Sequence, residues 1–195
     1  MEVNNELYAF MEAIRQQENA GGDYQKEHTP TQTMTNNGLQ TVQAQGAYGI
    51  LDINWDKWAE QAGYKGADWR VPEMQDIVAA YKFTEYYNTY GSWDLVAVAW
   101  YAGPGTANKA KALGLDSVGN IENLESFGPN VSEYVNSVMD KYEKVLETAS
   151  NDTVDSYVSQ TSTQTVQPNI QTQDDGMSPE QNKFEKYAAQ MLRAL

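Results

Sequence analysis

Glu18 is the residue of this chain best suited to chemistry. It follows Leu7, Met11 and Ile14 at steps of four, three and four, so it continues the apolar face of a first helix, and Gly21 and Gly22 stop that helix just behind it. A carboxyl at the end of an apolar stripe is partly stripped of water. Desolvation disfavours its charged form, raises its pKa and suits it to donate a proton near neutral pH, which is the task of a general acid. The alternative is a helix-end glutamate that turns to solvent. Other chemistries lack their residues. There is no cysteine and only one histidine, His28, so no thiol chemistry, disulfide framework or structural zinc site is expected, and no metal or cofactor is implied.

The elements that must position Glu18 read as mostly helical. Leu7, Phe10, Met11 and Ile14 mark the first helix. Asn54 can cap a short helix holding Trp55, Trp58, Ala59 and Ala62, which ends at Gly63. Pro72 opens a long helix through Ile77, Val78, Tyr81 and Tyr86 that ends near Gly91. Ser92 caps a segment, Trp93 to Ala102, that is apolar nearly all round and belongs at the centre of a bundle. Val131, Tyr134, Val135, Val138, Met139, Tyr142, Val145 and Leu146 mark another amphipathic helix. Only residues 46–53 look strand-like, with Gly46 and Gly49 as hairpin punctuation. The expected fold is therefore mainly α, a helical bundle around a central buried helix with a small β-hairpin.

Composition divides the chain into three zones. Residues 1–147 read as one folded domain. Residues 148–177 are dominated by Thr, Ser, Gln, Asn and Asp, hold no Lys or Arg, and read as a polar extended linker that cannot fold alone. Residues 178–195 read as a terminal amphipathic docking helix, with Ser178, Pro179 and Gln181 at its start and Phe184, Tyr187, Met191, Leu192 and Leu195 on one face. The chain carries 13 basic and 27 acidic residues, a net charge of −14. Such a surface repels nucleic-acid phosphates and anionic lipid, so neither is expected as a partner. No apolar run is long enough to insert in a membrane, and the first twenty residues lack the basic start and apolar middle of a signal peptide.

Four blocks occur in order: Glu18-Asn19-Ala20-Gly21-Gly22, then Gly46-Ala47-Tyr48-Gly49-Ile50-Leu51-Asp52-Ile53, then Ala99-Trp100-Tyr101-Ala102-Gly103-Pro104-Gly105, and late Tyr134-Val135. Together they resemble the soluble lytic transglycosylase domain, a lysozyme-like α+β fold that cleaves peptidoglycan. The resemblance spans roughly residues 5 to 146. It implies that Glu18 is the catalytic acid/base and that Tyr134 hydrogen-bonds its carboxyl. It implies that Gly46 and Gly49 line the cleft, and that Ala102 and Gly103 form a sugar-binding turn. In that family one carboxyl protonates the leaving oxygen of the MurNAc-GlcNAc β-1,4 bond, then acts as base while the muramic acid's own 6-hydroxyl attacks, leaving an anhydro-sugar. The substrate's N-acetyl group replaces a second carboxylate.

The sequence departs from the family pattern at several of these positions. Asn19 stands for the usual Ser, Asp52 for Gln, Trp100 for Tyr and Tyr101 for Asn. Asn19, Tyr48, Asp52 and Tyr101 are nonetheless the further candidates for substrate contact, the two tyrosines as sugar platforms beside glycine turns. Trp100 fits core packing better. Asp52 either binds a sugar amide or hydroxyl where Gln would or, if it lies across the cleft from Glu18, activates water and makes the enzyme a muramidase. Residues 19–45 form a longer connection than the family has, a solvated surface loop with His28 on it or a lid beside the cleft.

The resemblance thus points to a lytic transglycosylase whose partner is the peptidoglycan glycan strand. The competing class is a structural or adaptor protein that keeps the fold without the activity. With no export signal expected, the acidic surface, polar linker and terminal helix fit an enzyme carried in a phage virion, at the tail or baseplate; the alternatives are an enzyme of a conjugation machine and a late-lysis endolysin. In the virion it would dock on a virion structural protein through its C-terminal tail and act in the host cell envelope.

Overall fold

The computed structural model describes residues 2–20, 22–35, 38–120 and 128–161. Among these residues five α-helices follow one another as α1 (Glu2–Asn19), α2 (Asp52–Gln61), α3 (Pro72–Tyr90), α4 (Trp93–Leu113) and α5 (Val131–Thr161). Four short strands lie between α1 and α2: β1 (Thr31–Thr35), β2 (Gly38–Val42), β3 (Ala44–Gln45) and β4 (Ile50–Leu51). The fold is mainly α with small β-hairpins.

Helix α4 takes the central place. Val96, Ala97, Val98 and Ala99 are four successive residues, more than one full turn, and all are buried. Only a helix with neighbours on every side buries its whole circumference. Helices α3 and α5 both pack on α4, and α1 packs on α5 and α3. Phe10 of α1 fills the space between them, stacked on Trp93 at 4.7 Å and meeting Phe83 edge-on at 5.1 Å. With Phe10 fully buried, truncating it to Ala would cost about 3–5 kcal/mol.

The helix boundaries follow local chemistry. Pro72 occupies the first turn of α3, where its missing N–H costs nothing, and Gly91 closes that helix in the left-handed conformation with its N–H on the Tyr87 carbonyl. Ser92 sits at the cap position of α4, although its side chain makes no capping bond. Helix α2 starts at Asp52, two residues before Asn54, so Asn54 is inside the helix and caps nothing.

The strand-like stretch 46–53 resolves into the turn 46–49 between β3 and β4, paired antiparallel with Gln45 opposite Ile50. A second antiparallel hairpin, β1–β2, was not anticipated. It lies in the 19–45 connection, with Thr31 opposite Val42 and Thr35 opposite Gly38. That connection is thus built structure rather than a plain loop.

The C-terminal zone also differs from expectation. Helix α5 runs through Thr161, so residues 148–161 are helical where an extended linker was expected. The sequence from Val131 to Thr161 contains neither Gly nor Pro. Lengthening a helix already nucleated on a packed core needs only one residue fixed per new hydrogen bond, which polar residues tolerate. The rest of the linker and the terminal helix 178–195 lie outside the described residues.

Candidate active site

Glu18 occupies the last turn of α1. The residue as a whole is half-buried, but its carboxyl end is enclosed. Tyr134, in the first turn of α5, donates its hydroxyl to Glu18 Oε1 at 2.5 Å. On the other side lies Gly49, where a Cβ would stand 2.8 Å from Glu18 Oε2. Gly49 has φ 64°, so both its backbone and the space beside it require glycine. Burial is the main influence on the carboxyl and pushes its pKa up to about 7; the Tyr134 hydrogen bond and the Lys26 charge pull it back. The C-terminal end of a helix is also a poor place for negative charge. Glu18 is therefore poised near neutral pH, where it can both hold a proton and give it up.

Tyr134 is itself held on two sides. The Tyr101 ring of α4 stacks on it at 4.1 Å with an 11° angle between planes, and the Tyr101 hydroxyl donates to the Pro129 carbonyl. Just before α5, Asn130 Oδ1 accepts the Glu133 N–H and Glu133 Oε2 accepts the Asn130 N–H, each at 2.9 Å. This reciprocal capping box fixes the start of α5 and so the place of Tyr134. One turn further along, Ser137 and Lys141 both donate to Gln17 Oε1, tying α5 to α1 beside Glu18.

Ala102 and Gly103 directly follow Tyr101, at a break in α4. Gly103 has φ 82° and ψ 164°, and Pro104 then restarts the helix. The expected turn is thus a kink within one long helix. Glu18, Tyr134, Gly49 and Tyr101 are brought together as anticipated, with Ala102 and Gly103 beside them in the chain.

Other candidates are placed differently. Tyr48 is only 1% exposed; it packs edge-on against Phe83 and donates its hydroxyl to Asp76 Oδ1 at 2.8 Å, so it is a core residue and cannot be a sugar platform. Asn19 is engaged within the chain: Nδ2 donates to the Asp23 carbonyl and, at 3.4 Å, to that of Gly46, and Oδ1 accepts the Asp23 N–H. It staples the chain leaving α1. Asp52 is exposed at the N-terminus of α2, where Oδ1 accepts the Ile53 and Gln43 N–H groups. That is a structural use of a carboxylate at a helix start. Gly46 is buried against Gln75 rather than exposed as cleft lining. Trp100 is half-buried and packs on Phe83 at 4.6 Å, against the core rather than within it. His28 is half-buried rather than a surface residue, and burial lowers its pKa.

Two residues with no sequence-level signal stand behind the site, Gln75 and Asp76 of α3. Asp76 Oδ1 accepts both the Tyr24 and Tyr48 hydroxyls. Gln75 is 1% exposed and makes three hydrogen bonds. Polar residues inside a helix read as solvent-facing, and no periodicity marks one that is buried. The Asn-x-x-Glu of residues 130–133 did carry a readable capping signal.

Among the described residues no group of three or more His, Asp or Glu could hold a metal ion, and no helix is long and apolar enough to cross a membrane. No protein-family model, curated protein or solved structure matches this chain.

Proposed function

We propose that this chain is a peptidoglycan-cleaving lytic transglycosylase that uses Glu18 as its single acid/base. The observation that carries this reading is the enclosed Glu18 carboxyl, clamped between Tyr134 and Gly49, with a pKa raised by burial to about 7. Glu18 gives its proton to the glycosidic oxygen as the C1–O4 bond breaks. The carboxylate then takes the proton of the 6-hydroxyl as a C1–O6 bond closes the anhydro ring. Atoms and charge balance within the substrate, and Glu18 ends as it began. The engagement of Asp52 with backbone amides at the start of α2 favours this one-carboxyl scheme over a muramidase using Asp52.

A second reading is a structural or adaptor protein with little or no activity. It is favoured by the internal commitments of Tyr48, Asn19 and Asp52, which leave fewer groups for sugar than the resemblance implies. In either reading the acidic chain works as part of a phage particle, docked on a virion structural protein through residues beyond 147.

Mass analysis of products from purified peptidoglycan separates these readings. The transglycosylase yields anhydro-ended muropeptides, and Glu18→Gln slows their release by about 10²- to 10⁴-fold. Products heavier by one water would assign a muramidase. Release of no fragment across the pH range would assign the adaptor.

A further inference from the structure

The enclosure of Glu18 depends on a turn that has little to hold it. The β3–β4 pair is two residues long on each strand, which is too short to be stable by itself. Its turn, residues 46–49, is fastened from below by Gln75. The Gln75 Oε1 accepts the Ala47 N–H at 2.8 Å, while Nε2 donates to the Tyr24 carbonyl at 2.7 Å and the Trp69 carbonyl at 2.6 Å. One buried amide thus ties three separate loops to α3. The approach is so close that a Cβ on Gly46 would fall 2.0 Å from Gln75 Oε1, and Gly46 has φ 72°. Gly46 therefore serves the Gln75 contact, while Gly49, three residues on, lies against Glu18.

We propose that Gln75 is a positioning residue for the reaction: by holding the 46–49 turn on α3 it keeps Gly49 against the Glu18 carboxyl and water away from it. This rests on Glu18 being the acid. The groups facing that carboxyl are Tyr134 from α5, with Tyr101 of α4 stacked behind it, and Lys26 from the connection after α1. The turn itself offers only Gly49, since the Tyr48 hydroxyl is bonded to Asp76. The turn thus acts by excluding water and brings no charge of its own, and loosening it exposes the carboxyl and favours ionisation.

The experiment follows the Glu18 carboxyl by carbon NMR as pH is varied, in the full chain and in three variants. Gln75→Met keeps the bulk and loses all three hydrogen bonds. Gly46→Ala breaks the same contact from the other side. Ile77→Val, on the same helix, loosens the core without touching the turn. The first two should lower the Glu18 midpoint by roughly one unit or more; Ile77→Val should leave it in place. Amide exchange in the unaltered chain provides a reading that needs no variant: the Ala47 N–H should be among the protected amides. A shifted midpoint supports the proposal whether or not glycan is cleaved, so its fate is separate from that of the assigned reaction. An unchanged midpoint in either folded variant, or an Ala47 amide that exchanges freely, overturns it.

Discussion

Burial and the helix end act on Glu18 in one direction, and Tyr134 and Lys26 act in the other. The balance leaves a pKa of about 7, so the acid form predominates below that pH and is lost above it. The rate of glycan cleavage at low substrate should therefore fall about tenfold per unit above pH 7. The Tyr134 hydrogen bond favours the charged form, so Tyr134→Phe should move this alkaline limb upward, by about one unit, even while lowering the maximum rate. A limb that stays in place would mean that Tyr134 does not control the proton. The same shift bears on stability. Folding raises this carboxyl from its ordinary 4.5, so the folded state binds a proton that the unfolded chain releases between pH 4.5 and 7. Its contribution is complete below 4.5 and lost as pH rises through 7. Glu18→Gln removes that penalty and should stabilise the protein at pH 8 by up to roughly 3 kcal/mol, with the gain vanishing below pH 4.5; denaturant unfolding at both pH values measures it. The position of Glu18 was legible because periodicity reports which face a residue shares. Gln75 and Asp76 were not, because a buried polar residue leaves no mark on the pattern and is recognised only by its partners across the fold.

At the level of elements, the helices were legible and the joints between them less so. The all-apolar run of α4 could only be central, and Pro72 and Gly91 bracketed α3 as their backbone chemistry dictates. The β1–β2 hairpin escaped because its strands, Thr-Gln-Thr-Met-Thr and Gly-Leu-Gln-Thr-Val, show no strict apolar alternation. Asn37-Gly38 was nonetheless a hairpin signal within it. The kink of α4 is the joint with the clearest consequence. A Cβ on Gly103 would meet nothing within 4 Å, so space is no obstacle to a larger residue. Its φ of 82° and ψ of 164° are the obstacle, a region open essentially to glycine alone. Gly103→Ala should cost about 1–3 kcal/mol, lowering the Tm by roughly 2–12 °C for a chain of this size. It should also disturb the Tyr101 ring two residues earlier, and with it the Tyr134 stack, so cleavage should fall by more than the loss of folded protein explains. Thermal unfolding and activity of the same preparation test both parts.

Across the whole molecule, α1 and α5 run antiparallel, since Glu18 meets Tyr134, Gln17 meets Ser137 and Lys141, and Phe10 meets Tyr142. From Phe10 back to Glu2 is about 12 Å of helix, whereas from Tyr142 on to Thr161 is about 28 Å. Helix α5 thus outruns its neighbour by about 16 Å. Among the side chains described, Val145 and Leu146 are the last of α5 packed on the core, just before the composition changes to Thr, Ser, Asn and Asp. The composition changes at 147 while the helix continues beyond it, because composition follows side-chain chemistry and backbone hydrogen bonding decides where a helix stops. A chain ending at Glu147 should keep the whole core and site. Its Tm should lie within about 4 °C of the full chain, the shift expected for 1–2 kcal/mol at this size. Its alkaline limb should remain near pH 7, because among the described residues the groups facing Glu18 lie before residue 147. A larger fall in Tm would show that residues 148–195 pack against the domain. A displaced limb would show that they reach the site. If both quantities hold while incorporation into particles is lost, the C-terminal residues serve attachment alone.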